Sequence, residues 1–163
     1  ADPKIELLIF PPKNHENMKR KTEILAKAST LSLRQNIEIN VRNLSEAEKK
    51  MIYSASDMFL FPPLKSGEAV EPPITLLEAM SCGLPVVSSD VASIREVITD
   101  GFNGLITTFR NGEFSLSGER ISSLIENNKV RMELSYNARR TVIEKMSPYY
   151  SCKRLVEIFT SLS

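Results

Sequence analysis

The chain is expected to fold as an α/β protein, a parallel sheet flanked by helices, and three observations predict it. Apolar runs of strand length alternate with segments of helical periodicity through residue 107. The connections between these runs are too long for hairpins, so successive strands are joined by crossovers and run parallel. Beyond residue 107 the spacing of apolar residues is helical, which places a helical segment at the C-terminal end.

The elements follow in order. Ile5 to Phe10 reads as a first strand, ended by Pro11-Pro12 because proline lacks the backbone donor a strand needs. Glu16 to Leu33 reads as a helix with Ile24, Leu25, Ala28 and Leu31 on one face, and Ile37 to Val41 as the second strand. Ser45 has the position of an N-cap, with Glu48 at capping-box spacing. That helix runs to about Ala55 with Ala47, Met51, Ile52 and Ala55 turned inward. Asp57 to Phe61 is the third strand. A helix from about Thr75 to Cys82 is stopped by Gly83 and leads into a fourth strand at Leu84 to Ser88. Ser93 and Glu96 repeat the capping-box spacing ahead of Val97-Ile98, and Asn103 to Thr107 is a short fifth strand. Three helices close the chain. Ile121, Leu124 and Ile125 mark the first, Val130, Leu134, Ala138 and Val142 the second, and Cys152, Leu155, Val156, Phe159 and Leu162 the third. No internal repeat or linker interrupts the pattern, so residues 1–163 read as a single domain.

Composition narrows the chemistry. The 163 residues carry 21 Lys+Arg against 20 Asp+Glu, a net charge of +1, which argues against a nucleic-acid stripe or an acidic tail. The longest apolar runs, Met58 to Leu64 and Leu84 to Val87, are far short of the roughly 20 residues of a membrane helix. Ala1-Asp2-Pro3-Lys4 does not read as a signal peptide. Cys82 and Cys152 form no disulfide framework, so a reducing, cytoplasmic setting is expected. One His and two distant Cys cannot furnish a zinc site, and no metal site is expected. His15, in the polar run Lys13-Asn14-His15-Glu16-Asn17, reads as a solvated residue at a helix start rather than as a triad base. Neither Gly-x-Gly-x-x-Gly nor Gly-x-x-x-x-Gly-Lys-Ser/Thr occurs, so phosphate binding would need a different loop.

In an open parallel sheet ligands bind beyond the carboxyl ends of the strands. The loop Pro62 to Pro73 follows the third strand there and delivers the chain to the start of the Thr75 helix, whose unpaired N–H groups and dipole favour an anion such as a diphosphate. Glu71 precedes that helix and Glu78 lies one turn inside it, and a carboxylate so placed can accept hydrogen bonds from vicinal sugar hydroxyls. Plainer readings stay open beside this one. Glu78 has the spacing to close a capping box with Thr75, Glu71 suits a solvated loop acid, Pro72-Pro73 suits a helix start, and Lys65 suits a surface lysine.

Four blocks taken together are more specific: Ser56-Asp57-Met58-Phe59-Leu60-Phe61-Pro62, Glu71-Pro72-Pro73-Ile74-Thr75-Leu76-Leu77-Glu78-Ala79-Met80-Ser81-Cys82-Gly83-Leu84-Pro85-Val86-Val87, Ile94-Arg95-Glu96-Val97-Ile98, and Asp100-Gly101-Phe102-Asn103-Gly104-Leu105. Colinear over nearly the whole chain, they resemble the nucleotide-sugar-binding domain of family-4 retaining glycosyltransferases (glycosyl transferases group 1). The resemblance implies a Rossmann-like sheet, the C-terminal half of a GT-B type fold. It also implies transfer of a sugar from a nucleotide-diphosphate sugar, UDP- or GDP-linked, with retention and without a required metal or other cofactor. In that family a Glu-x7-Glu element holds the donor. Carried over, Glu71 is the catalytic residue near the transferred sugar, Glu78 binds the ribose, and Ile74, Thr75 and Leu76 supply the diphosphate-binding helix start. Here only residues 72–77 separate the two acids, and Pro72-Pro73 replaces a Phe-Gly pair. Arg42 and Asn43, in the loop after the second strand, would contact the base by analogy.

The resemblance further implies a first strand with Gly-Arg, a loop Lys and a helix, lying ahead of the Ile5 strand. In the order 3-2-1-4-5-6 that strand is central, so Ile5–Phe10 should pair with Ile37–Val41. An N-terminal domain of the whole protein would bind a glycan or lipid-linked acceptor and leave room for peripheral association with the inner face of a membrane, and this chain alone would be inactive. Two rival functions share the pattern: a degenerate, non-catalytic interaction module and another sugar-nucleotide enzyme such as an epimerase.

Overall fold

The computed structural model describes residues 5–11, 13–61, 73–110, 113–115 and 118–162. The chain divides into two compact units, Ala1–Lys50 and Met51–Ser163.

The first unit contains β1 (Leu7–Ile9), α1 (His15–Thr30), a 3-10 turn at Arg34–Asn36, β2 (Ile37–Ile39) and the start of α2 (Glu46–Ala55). With α1 as the crossover, β1 and β2 pair in parallel, Leu7 opposite Ile37 and Ile9 opposite Ile39, which is the pairing expected of the Ile5 and Ile37 runs. Asn14 caps α1 by accepting the Asn17 N–H at 2.7 Å. At the other end Ser32 adopts φ 58°, its N–H reaches Ser29 and the Leu33 N–H reaches Ala28 at 2.8 Å. This Schellman closure has serine where glycine is usual, and it ends the helix at Thr30 rather than at Leu33. Of the expected inner face, Ala28 is buried and Leu25 half-buried, but Ile24 and Leu31 are exposed. Leu31 lies past the last helical turn, and Ile24 is one step off the Lys21, Leu25, Ala28 row.

The α2 capping box forms as expected. The Ser45 N–H donates to Glu48 at 2.8 Å and the Glu48 N–H donates back to the Ser45 hydroxyl at 3.3 Å. The predicted inner face of α2 is wrong in phase, because Ala47, Met51 and Ala55 are exposed and only Ile52 is half-buried. The helix is instead rotated so that Tyr53 meets the edge of Phe59, centroids 5.7 Å apart at 86°.

The second unit continues with β3 (Phe59–Phe61), α3 (Ile74–Ser81), β4 (Val86–Ser89), α4 (Ala92–Arg95), β5 (Gly104–Arg110), β6 (Glu113–Ser115), α5 (Gly118–Glu126), α6 (Asn128–Lys145) and α7 (Pro148–Ser161). Its sheet has the order β3-β4-β5-β6, parallel except for the last pair. β6 was not anticipated, since Glu113-Phe114-Ser115 gives no apolar run and takes its place by pairing with β5. β4 is buried at all four positions. Its alternate residues feed two faces: Val86 packs with Leu76, Met80, Ile94, Ile98 and Ile106, and Val87 with Leu105, Leu124 and Leu134.

Two expectations from the sequence do not hold in the second unit. The Ser93/Glu96 capping box does not form, because α4 is already under way at Ala92 with Val91 as its N-cap, and Ser93 lies buried within it. α7 forms at the expected place, but Leu155, Val156, Phe159 and Leu162 are exposed rather than covered. Gly83 does end α3: at φ +79° its N–H reaches Met80 at 2.9 Å while the Leu84 N–H reaches Ala79 at 3.1 Å. Among the described residues no helix is long and apolar enough to cross a membrane.

Candidate functional site

The site suggested by the sequence is built on α3, which follows β3 and belongs to the second unit. Pro73, buried and with φ −64°, is its N-cap. The Leu76 N–H donates to the Pro73 carbonyl at 3.1 Å and the Leu77 N–H to the same oxygen at 3.2 Å. Ile74 and Thr75, in the first turn, have no intrahelical acceptor for their N–H groups and are both exposed. Leu76, the third of the residues assigned to the diphosphate, is by contrast completely buried and anchors the helix start. Helix N-termini with such amides favour anions.

Thr75 lies inside α3, so it cannot be an N-cap and Glu78 does not close a capping box with it. The Glu78 side chain is half-buried and accepts a hydrogen bond from the Tyr53 hydroxyl at 3.4 Å. Tyr53 was missed in the sequence. Its signal was an aromatic residue on the helix that leads into the third strand, and periodicity assigned the inner face to its neighbours instead. The far end of α3 is braced by α6, where Arg139 donates to the Ser81 carbonyl at 2.7 Å and the Ser135 hydroxyl donates to the Gly83 carbonyl. These bonds satisfy carbonyls that the helix end leaves open, and the arginine cation suits the negative end of the dipole. Glu71 and Lys65 lie outside the described residues.

Directly after β4, Asp90 receives both Nε and Nη2 of Arg95 at 2.5 and 2.8 Å, and this hydrogen bonding holds its carboxyl below the usual range. Among the described residues no group of three or more His, Cys, Asp or Glu could hold a metal ion.

Arg42 and Asn43 sit in the first unit, in the loop after β2. Arg42 ion-pairs with Glu48 and lies 6.0 Å above the Phe10 ring, while its N–H donates to the Pro11 carbonyl at 3.1 Å. Asn43 accepts the Lys13 N–H at 3.3 Å. The side chains of both residues therefore shape the loop. Glu48 is lowered to a pKa of about 2, first by the Ser45 N–H, then by the Arg42 guanidinium and the Ser45 hydroxyl. A carboxyl depressed in the fold stabilises it above the unfolded pKa near 4.5, and that contribution fades as pH falls toward 2. Arg42→Ala should raise the Glu48 pKa measurably in a carboxyl-carbon NMR titration, yet leave it below 4.5 because the Ser45 N–H remains.

With this geometry in view, the family model for "Glycosyl transferases group 1" matches residues 2–141. The chain is 33% identical over 111 residues to an uncharacterized glycosyltransferase of Methanocaldococcus jannaschii, covering 68% of this chain and 27% of that protein. It is 35% identical over 88 residues to the N,N'-diacetylbacillosaminyl-diphospho-undecaprenol alpha-1,3-N-acetylgalactosaminyltransferase of Campylobacter jejuni, covering 54% of this chain and 22% of that protein. The chain therefore spans about a quarter of the length of these relatives. Among solved structures, Anabaena Alr3699/HepE in complex with UDP superposes with a TM-score of 0.77 at 18% identity, over 99% of this chain and 42% of that one. The C-terminal domain of the group 1 glycosyl transferase LpcC from Francisella tularensis superposes with a TM-score of 0.66 at 19% identity, over 83% and 66%. The fold is the Rossmann-like half of the GT-B architecture, and with the family model matching most of its length the chain belongs to the glycosyl transferases group 1.

Proposed function

We propose that this chain is the donor-binding part of a retaining glycosyltransferase. It binds a nucleotide-diphosphate sugar at the start of α3, with the Ile74 and Thr75 amides on the diphosphate and Glu78 on the ribose hydroxyls. The observation that carries this reading is the combination on one short helix of exposed first-turn amides and, one turn in, a half-buried carboxylate that plays no capping role. Donors preorganised at a helix N-terminus stabilise the negative charge that grows on a departing diphosphate, the usual source of rate in such transfers. Glu71 would approach the transferred sugar. UDP is the first nucleotide to test, since the Anabaena structure holds it. The acceptor, a glycan or a lipid-linked sugar of the kind named for the Campylobacter enzyme, would be bound by the remainder of a longer protein.

Titration of UDP and GDP against the isotopically labelled chain, read by amide chemical shifts, tests this proposal. One of them should shift residues 74–76 and 78, and Glu78→Ala should weaken binding about tenfold or more, the scale of one hydrogen bond to a charged group. Absence of any shift there with either nucleotide would refute it.

A further inference from the structure

We infer that Tyr53 is a positioning residue for Glu78, aiming its carboxylate at the vicinal hydroxyls of the nucleotide ribose; this rests on the donor-site reading above. A glutamate side chain has a broad terminal torsion, so an unguided carboxylate samples many orientations. A ligand that needs it in one must offset that loss of freedom. Tyr53 supplies the guide. Its ring is fixed edge-on against Phe59, and Phe59 in turn stacks on Phe61 with centroids 6.1 Å apart and planes at 17°. Phe59 and Phe61 are the two ends of β3, so the ring row ties the hydroxyl to the sheet rather than to a loop. From there it donates to Glu78 Oε2 at 3.4 Å, a long hydrogen bond of the kind that tightens when ligand loads the site. A carboxylate can accept about four hydrogen bonds, so accepting one from Tyr53 does not by itself preclude ligand binding. The rotation of α2 that upset the periodicity-based face is the same rotation that brings the hydroxyl to Glu78. Sites in which a supporting group orients the contacting one behave this way generally.

The test compares Tyr53→Phe with the unaltered chain, using UDP and 2′,3′-dideoxy-UDP, whose ribose lacks the hydroxyls. The substitution keeps the ring on Phe59 and removes only the donor. Expected is a loss of UDP affinity of about three- to tenfold, little change with the dideoxy nucleotide, and an unchanged thermal midpoint. In a Glu78→Ala background Tyr53→Phe should have no further effect, because the group it guides is gone. Equal loss with both nucleotides, or a loss that persists without Glu78, would make Tyr53 merely structural and overturn the inference. So would unchanged UDP affinity in Tyr53→Phe while Glu78→Ala binds poorly, and in that case the donor-site reading stands. If the unaltered chain bound UDP and its dideoxy form equally, the ribose role of Glu78 would fall, and the inference with it.

Discussion

Asn103→Ala should lower stability by about 3 kcal/mol, the scale for stripping partners from buried polar groups. Asn103 is 1% exposed and its side chain makes three hydrogen bonds. Its amide donates to the Val97 carbonyl at 2.9 Å and to the Thr141 hydroxyl at 3.0 Å, and its carbonyl accepts the Thr99 N–H at 2.8 Å. One side chain thereby joins the segment after α4, the turn into β5 and the C-terminal part of α6. Alanine leaves the Val97 carbonyl without this donor and opens space in the interior, and neither water nor a neighbour readily replaces both amide bonds. For a chain of this length the thermal midpoint should fall by roughly 10 °C. A urea midpoint that moves by less than the equivalent of about 0.5 kcal/mol would show that the network does not hold these elements together.

Leu76→Ala should cost a similar amount, about 3 kcal/mol within the usual range of 2–5 for a fully buried leucine. Leu76 is 0% exposed among Met80, Val86, Ile94, Ile98 and Ile106. It is also one of the three residues the family pattern assigns to the diphosphate, and the consequence is specific. Any contribution from Leu76 to a phosphate is through its backbone, which alanine retains, so nucleotide affinity per folded molecule should change far less than stability does. Thr75→Ala, exposed and one residue earlier, should shift stability by under about 0.5 kcal/mol. Denaturant unfolding of the two variants beside a UDP titration separates the roles. Comparable stability losses in both would refute the division between anchor and donor.

Much of the fold was legible because it rests on local signals. The strand runs at Ile5, Ile37 and Asp57 each contain an observed strand, the Leu84 run overlaps one that ends a residue later, and the parallel pairing of the first two follows from the crossover length. Ser45 and Glu48 are close in sequence, so their box is a local matter, as is the φ +79° turn at Gly83. The failures were of another kind. Ser93 and Glu96 have the same spacing as Ser45 and Glu48, yet tertiary burial of Ser93 and an earlier helix start override it. Serine at φ 58° ended α1 where no glycine announced it, because backbone hydrogen bonds to Ser29 and Ala28 outweigh the strain. β6 exists through its pairing with β5, which no property of Glu113-Phe114-Ser115 alone could reveal.

The sequence by itself determined the α/β class, the order of the elements other than β6, the family and the helix that carries Ile74, Thr75 and Glu78, because these depend on composition, periodicity and motif along the chain. The tertiary structure buried Leu76 as the anchor of the helix start, left Ile74 and Thr75 exposed, removed the capping-box reading of Glu78 and brought Tyr53 to its carboxylate. The physical reason is that burial and a hydrogen bond spanning 25 positions depend on how α2, β3 and α3 pack. A helix rotated by a single residue moves most of its inner face to other side chains while leaving its periodicity untouched.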